Sequence, residues 1–545
     1  MLMSKFIHKV LIIAIVATNI SCSRLLMNQG LKSYKSNITK TKEYKKSNHF
    51  QQDFLYLNDL CENTFPQIDS VFPMKERKQI IDSLLNLLKE KNIDKQQFKA
   101  DIRFYLSHFN NQHTTIAGYN GWGLFPYWPL AVGGKWFLWD INKEYDSLLI
   151  GKQIISINNE PIENIEKKVV KYVSAENEIT KRNQLWFLNR PSLLKQYGII
   201  NQIDSILLTF ENCKNIWIKN IKKEQDINFT LGDKRLVENH ITKKLDNSYT
   251  INLYPKDNYA YFQFNRCFDQ IDAYAQISDI VKPWVVPFAK MFLNRVIKKK
   301  ITIKNDVGFS LDYDRPIFKD YLKLMFDSLQ KQGITNLIID LRNNGGGSFD
   351  LCSQLVYYVT DKEDCKGFTS SYYMSEFNKQ KDRKKYNKFI TEFTSKNHTI
   401  PQSKKLYPYG IFNCDSLFFE KIKDNKSSFY IPKNRAVFKG NVIVLANANT
   451  GSAAAILTTI LQDNNIATVI GTTIGNNPIG ATVYNRYRLP HSKETGSVAS
   501  EYIVRPNPSK GKLFIPDYWI ENSVDDLIHG KDKSLEKALE LIKNK

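Results

Sequence analysis

The clearest change of rhythm between apolar and polar positions falls between Val442 and Gly480. Val442-Ile443-Val444-Leu445-Ala446 is an unbroken apolar run rich in β-branched residues, the pattern of a strand buried on both faces. Asn447 to Gly451 is small and polar, so the chain turns there. From Ala453 to Gln462 the period lengthens. Ile456 and Ile460 fall one helical turn apart, with Leu457 and Leu461 beside them. Ala467-Thr468-Val469-Ile470 returns to strand, closed by Gly471. The prediction is a β-turn-α-β unit with Ser452 at the first turn of its helix. A second buried run, Asn336-Leu337-Ile338-Ile339-Asp340, leads through Leu341-Arg342-Asn343-Asn344 into Gly345-Gly346-Gly347. A helix through Leu351, Leu355 and Val356 follows.

Elsewhere the pattern is coarser. Ser23 to Asn48 is polar, lysine-rich and weakly periodic, which predicts a tether over 23–49. Phe50 to Phe109 predicts helices. Pro73 suits the first turn of one containing Ile80, Ile81, Leu84, Leu85 and Leu88. Asp94 caps the next, with Phe98, Ile102, Leu106 and Phe109 on one face. Gly121 to Leu245 is β-rich. Its strand Gln153–Ile157, turn Asn158–Pro161 and helix Ile162–Tyr172 resemble a PDZ domain, a module that binds peptide ends by adding a strand to a sheet edge. Tyr259 to Phe264 predicts another strand and Phe318 to Lys331 an amphipathic helix. Lys282 to Lys300 mixes Trp284, Val285, Phe288 and Phe292 with a basic end. It reads as an insertion packed on the core, with a membrane-surface segment or lid as the alternative. Phe368 to Lys439, rich in Tyr, Lys, Ser and Asn, reads as a surface insertion.

Composition narrows the class. The chain of 545 residues is long enough for several domains, and 42% hydrophobic with 12% aromatic residues is globular. The net charge of +22 comes from lysines spread along the chain, with no zinc finger and no basic region with heptads, so no nucleic-acid partner is expected. Lys5, His8 and Lys9 precede the short apolar run Val10–Ala17, and Ile20-Ser21-Cys22 follows. This resembles a bacterial lipoprotein signal over residues 1–22. It implies export and a lipid on Cys22 that anchors the chain to the cell envelope, periplasmic or outer-membrane associated. The remaining cysteines, Cys61, Cys213, Cys267, Cys352, Cys365 and Cys414, form no C-x-x-C pair and no zinc-ligand spacing.

The chemistry rests on a few residues. At a helix start, the Ser452 hydroxyl lies near backbone N–H groups that lack an intrahelical partner and can hold an oxyanion. Taken by itself, Ser452 reads first as an N-cap. The triple glycine lets N–H groups converge on an anion or simply makes a tight turn. It lacks the Gly-Lys-Ser/Thr of a phosphate loop and the spacing of a dinucleotide fingerprint. His113, in Asn110-Asn111-Gln112-His113-Thr114, is an ordinary loop histidine when read alone.

Together, Gln112-His113-Thr114, Leu341-Arg342-Asn343-Asn344-Gly345-Gly346 and Thr450-Gly451-Ser452-Ala453-Ala454 stand in an order that resembles the tail-specific (carboxy-terminal processing) serine proteases. The likeness extends to Leu461-Gln462-Asp463, Ile470-Gly471-Thr472, Pro516-Asp517 and Gly530-Lys531-Asp532. It implies a multidomain α/β (α+β) chain with a crotonase/protease-like β-α core, an N-terminal helical domain at 50–116 and a PDZ-like domain at 117–245. The catalytic domain would span 246–545, with insertions near 281–310 and 367–440. It implies hydrolysis of a protein or peptide substrate with no metal or cofactor. Where one branch places a catalytic lysine, this chain reads Gly471-Thr472-Thr473-Ile474-Gly475-Asn476-Asn477, so the tricorn-core branch with Ser and His is the nearer likeness. That branch's aspartate before the histidine is Asn111 here, and the glutamate after its serine is Ala455. The implied roles are Ser452 as nucleophile, His113 as base, Gly345, Gly346 and Ala453 as oxyanion donors, and Glu501 as the carboxylate that orients His113. Asp517 is expected to serve structure. The rival reading is an inactive relative that binds peptide or another ligand.

Overall fold

The structure, a computed structural model, describes residues 34–544 apart from 91–92, 119–122, 212–214, 224–225, 231–236, 239–240, 243–247, 273, 275–284, 292–302, 305–309, 312–316, 363–364 and 414–418. The lipoprotein-like signal with Cys22 lies outside the described residues, as does most of Lys282–Lys300. Among the described residues, no helix is long and apolar enough to cross a membrane.

The helical part is built from α1 (His49–Thr64), α2 (Met74–Leu87) and α3 (Lys95–Ser107). Asn48 and Gln51 form a reciprocal capping box on α1, and Asp94 accepts the Gln96 and Gln97 N–H groups of α3. Phe54, Leu57, Phe98, Ile102, Tyr105 and Phe109 form their core. The expected tether is shorter than 23–49, because the chain is folded from Tyr34 on. The Tyr34 ring packs on Tyr56 and Phe377, the Ser36 hydroxyl donates to Asp59 at 2.5 Å, and Tyr44 is buried. Two tyrosines and one serine anchor a segment whose average composition reads as solvated.

Beyond α3 comes the two-residue strand β1 (Thr115–Ile116), then the hairpin β2 (Tyr127–Val132) and β3 (Lys135–Ile141). A four-stranded sheet follows in the order 160–161, β4 (Ile154–Ile157), β5 (Ser205–Phe210), β6 (Asn215–Lys219). Helix α4 (Ile162–Val170) buries Ile162, Ile165 and Val169 in this unit's own core with Leu138, Ile154, Ile206 and Leu208.

The rest of the chain contributes β7 (Tyr249–Tyr254), β8 (Tyr259–Phe264), α5 (Phe318–Lys331), β9 (Asn336–Asp340), α6 (Phe349–Val359), β10 (Lys366–Tyr373), β11 (Leu406–Asn413) and β12 (Asn441–Ala446). It continues with α7 (Ser452–Asp463), β13 (Ala467–Gly471), β14 (Ile479–Arg488), β15 (Thr495–Val504), β16 (Tyr518–Trp519) and α8 (Lys533–Lys543). The main sheet runs β7-β8-β9-β12-β13-β16, parallel from β8 onward. Leu337, Ile339, Val442 and Val444 face α5, α6 and α7; Ile338, Ile443, Leu445 and Ile470 face Leu535 and Ala538 of α8. Burial of both faces is why these strands read as unbroken apolar runs.

A second, antiparallel sheet runs β1-β15-β10-β11, with β14 on the other edge of β15. Here the surface-insertion expectation for 367–440 is corrected. β10 lies inside this sheet, pairing Thr369 with Val504 on one side and with Ile411 on the other. Its Ser and Thr residues hide an apolar stripe, since Phe368, Tyr372 and Tyr373 are all buried. The helical part shares a core with this sheet through Ile116, Tyr487, Leu489 and Val498. Among the described residues, Cys61, Cys267, Cys352 and Cys365 are buried free thiols, and no cluster suits a metal ion.

Candidate active site

Strand β12 delivers the chain to a turn that is tied to the end of β9. The Thr450 hydroxyl donates to the Leu341 carbonyl at 2.9 Å, and the Gly451 N–H donates to the Asn344 carbonyl at 2.9 Å. Ser452 then opens α7 with φ 49, a left-handed conformation that is strained for serine by about 1–3 kcal/mol. Such strain persists only where the surroundings hold it. Gly346, at φ 102, is part of what holds it: a Cβ there would lie 2.6 Å from the Ser452 Cβ and 2.7 Å from the Gly451 carbonyl oxygen. Gly346→Ala is therefore expected to push the serine out of place and slow its reaction by about 100-fold, the usual cost of an ångström of misplacement. The rate of Ser452 modification in folded protein measures this.

His113 reaches the serine from the far end of the sequence. Strand β1 pairs Thr115 with Ser497 and Ile116 with Gly496, and the Thr114 hydroxyl accepts the Ala499 N–H at 3.1 Å. The His113 N–H donates to Asn111 Oδ1 at 3.1 Å. With its backbone fixed this way, Nε2 of His113 lies 3.2 Å from Oγ of Ser452, within hydrogen-bond reach. The Tyr484 ring stacks on the imidazole at 5.7 Å. Burial lowers the His113 pKa to about 4, so the ring is neutral at pH 7 and free to take a proton. The sign follows: the base-competent neutral form is present above about pH 4 and is lost as pH falls through it. Serine reactivity is expected to hold flat from neutral to mildly acidic pH and to drop near pH 4, which a labelling-rate profile will register.

The structure sorts the other expected residues. The Gly346 N–H donates to Asn344 Oδ1 at 2.9 Å, so it is not free for an oxyanion. Among the described residues the N–H groups of Gly345 and Ala453 have no acceptor, which leaves those two as the candidate donors. Glu501 pairs with Thr482, which lines a small hollow of mixed polarity beside Ser452 with Ile456, Ile474, Asn476 and Asn477. Its carboxylate is not on His113, because the buried Nδ1 of His113 has no hydrogen-bond partner among the described residues. The orienting role expected of Glu501 is thus not met in this geometry. Position in strand order alone had suggested it, and strand order does not set side-chain reach. Asp517 accepts the Val469 N–H at 2.7 Å and the Gln462 amide at 3.1 Å, holding β13 to the tail.

Sequence reading missed two residues at the site. Asn476 accepts the Ser452 N–H at 2.5 Å. Glu176, from the β-rich unit, accepts from Asn111 at 3.1 Å and from Asn476 at 2.9 Å, and burial raises its pKa to about 7. The sequence marked Asn476 only as a place without lysine, and nothing in the pattern around Glu176 sets it apart.

Comparison with known proteins agrees with this core. Residues 314–508 match the model of Peptidase family S41, a span that contains the glycine turn, Ser452, Asn476 and Glu501. Mature CPAF complexed with lactacystin superposes with a TM-score of 0.61 at 12% identity, over 91% of this chain and 99% of that one. Mature CPAF gives 0.58 at 12% identity, over 91% and 98%. At such identity the likeness establishes a shared fold. No curated protein matches the chain.

Proposed function

We propose that this chain, which carries a Peptidase family S41 domain and is a serine-type peptidase, works as an endopeptidase lipid-anchored in a bacterial cell envelope, with Ser452 and His113 as its reacting pair. The observation that carries the pairing is the 3.2 Å contact between His113 Nε2 and Ser452 Oγ. Ser452 Oγ attacks the scissile carbonyl carbon. His113 Nε2 takes the hydroxyl proton and passes it to the leaving amine as the C–N bond breaks. The N–H groups of Gly345 and Ala453 hold the oxyanion. Water, deprotonated by the same histidine, then releases the acyl group from the serine. The Ser/His style of the tricorn-core branch is supported by Asn476, an amide on the Ser452 N–H in the 471–477 segment that lacks the other branch's lysine. In the β-rich unit, β6 ends its sheet, and a peptide strand added there would account for a PDZ-like role. Anchoring through Cys22 rests on the signal-like N-terminus.

One observation favours the inactive alternative: the imidazole has no carboxylate on Nδ1 to stabilise its charged form. A fluorophosphonate probe decides between the two. The peptidase reading expects one covalent adduct on wild-type protein, mapped by mass to the peptide containing Ser452. Folded protein that stays unmodified would remove the peptidase reading and favour the binding one.

A further inference from the structure

We propose that Glu176 is a positioning residue for the reacting pair: one buried carboxylate that fixes the backbones of both His113 and Ser452 through two asparagines. The inference rests on the peptidase reading above.

Oε1 of Glu176 accepts from Asn111 Nδ2 at 3.1 Å and from Asn476 Nδ2 at 2.9 Å. Oε1 accepts both bonds whether the group is ionised or carries its proton on Oε2, so both amides turn their NH₂ groups toward it. Each amide then has its oxygen on the opposite side. Asn111 Oδ1 accepts the His113 N–H at 3.1 Å, and Asn476 Oδ1 accepts the Ser452 N–H at 2.5 Å. A single acceptor atom therefore faces two amides, and each amide holds the backbone of one member of the pair; the Asn111 amide is held as well by the Ala481 carbonyl, which accepts from Nδ2 at 2.7 Å.

Glu176 is itself held from several sides. The Ser174 hydroxyl accepts the Asn111 N–H at 3.0 Å and donates to the Asn111 carbonyl at 2.8 Å. Asn477 Nδ2 donates to the Glu176 carbonyl at 3.1 Å, and Thr180 Oγ1 donates to the Gly475 carbonyl at 3.2 Å. The segment that leaves α4 is thus stitched to both loops that meet at the serine. This arrangement also accounts for an amide at position 111. Asparagine donates to both Glu176 and the Ala481 carbonyl, whereas an aspartate carboxylate has no proton for either. The side chain acts at one remove from the reacting atoms, since it touches neither the hydroxyl nor the imidazole.

The test follows the labelling rate of Ser452 by a fluorophosphonate in the full-length protein, scored on the folded fraction. Glu176→Ala frees the Asn476 amide to rotate and leaves Asn111 Nδ2 on the Ala481 carbonyl alone, and the rate is expected to fall about 100-fold. Glu176→Gln keeps an acceptor oxygen for the amides and is expected to label within about 3-fold of wild type. A purely stabilising carboxylate would shift the unfolding midpoint and leave the folded protein's rate unchanged. Folded Glu176→Ala that labels at the wild-type rate overturns the proposal. If Glu176→Ala does not fold, Asn476→Ala decides: it removes the amide between Glu176 and the Ser452 N–H, and folded Asn476→Ala that labels at the wild-type rate overturns the proposal equally. A wild-type protein that takes no label is a separate result, seen before any variant is compared. It removes the peptidase reading, and this inference falls with it.

Discussion

Ser452→Ala lowers hydrolysis of an unstructured protein substrate by about 10⁴-fold or more, the scale on which reacting pairs of this kind lose their nucleophile. The geometry makes this a clean deletion. The hydroxyl faces His113 Nε2, while the Ser452 N–H keeps its bond to Asn476 and the Gly451 N–H its bond to Asn344. Alanine adopts the φ 49 conformation no more readily than serine, so the unfolding midpoint should move little. His113→Ala is expected to cost a similar factor, and the double variant no more than either single one, because the two side chains act as a unit. Retention of a tenth of the wild-type rate by Ser452→Ala would remove this serine from the chemistry.

The largest expected effect on stability lies under the glycine turn. Arg342 ends the run from β9. Its guanidinium donates to Asp532 at 2.7 and 2.6 Å and to Asp340 at 3.0 and 2.7 Å. The Tyr261 hydroxyl closes the cluster on Asp340 at 2.5 Å. Asp532 is fully buried and also caps α8 by accepting the Leu535 N–H at 3.1 Å. Asp532→Ala leaves a buried guanidinium half compensated and a helix uncapped. Removing one partner of a buried pair costs about 3–5 kcal/mol, and loss of the cap adds about 1 kcal/mol. Urea unfolding followed by far-UV circular dichroism will read the difference. A loss below about 1 kcal/mol would mean that Asp340 alone satisfies the arginine.

Periodicity exposed those parts of the fold whose burial is uniform. The strands at 336–340 and 442–446 are covered on both faces, so their apolar runs could be read without any context. β10 escaped notice because Thr369, Ser370 and Ser371 separate its buried Phe368 from Tyr372 and Tyr373. Its partners are β11 and β15, more than a hundred residues away in the case of β15. At the site, Ser452, His113 and the glycines were legible because each sits in a short motif and the motifs fall in one order. Local spacing says nothing about which carboxylate reaches which amide. Glu501 was a choice along the chain, while Glu176 enters from a different folding unit and bonds across the gap to residue 476. Gly346 was legible as a turn glycine, but its N–H is spent on the Asn344 side chain, a detail that only coordinates carry.

The two-residue strand β1 has a consequence for how the protein comes into being. His113 is held in place by a pairing of 115–116 with 496–497, and its partner serine stands 339 residues further along the chain. A nascent polypeptide has no such pairing until residue 497 has been synthesised, so the contact between His113 and Ser452 cannot be held this way any earlier. Copies truncated ahead of residue 496 lack it, and under the proposed function they would be inert.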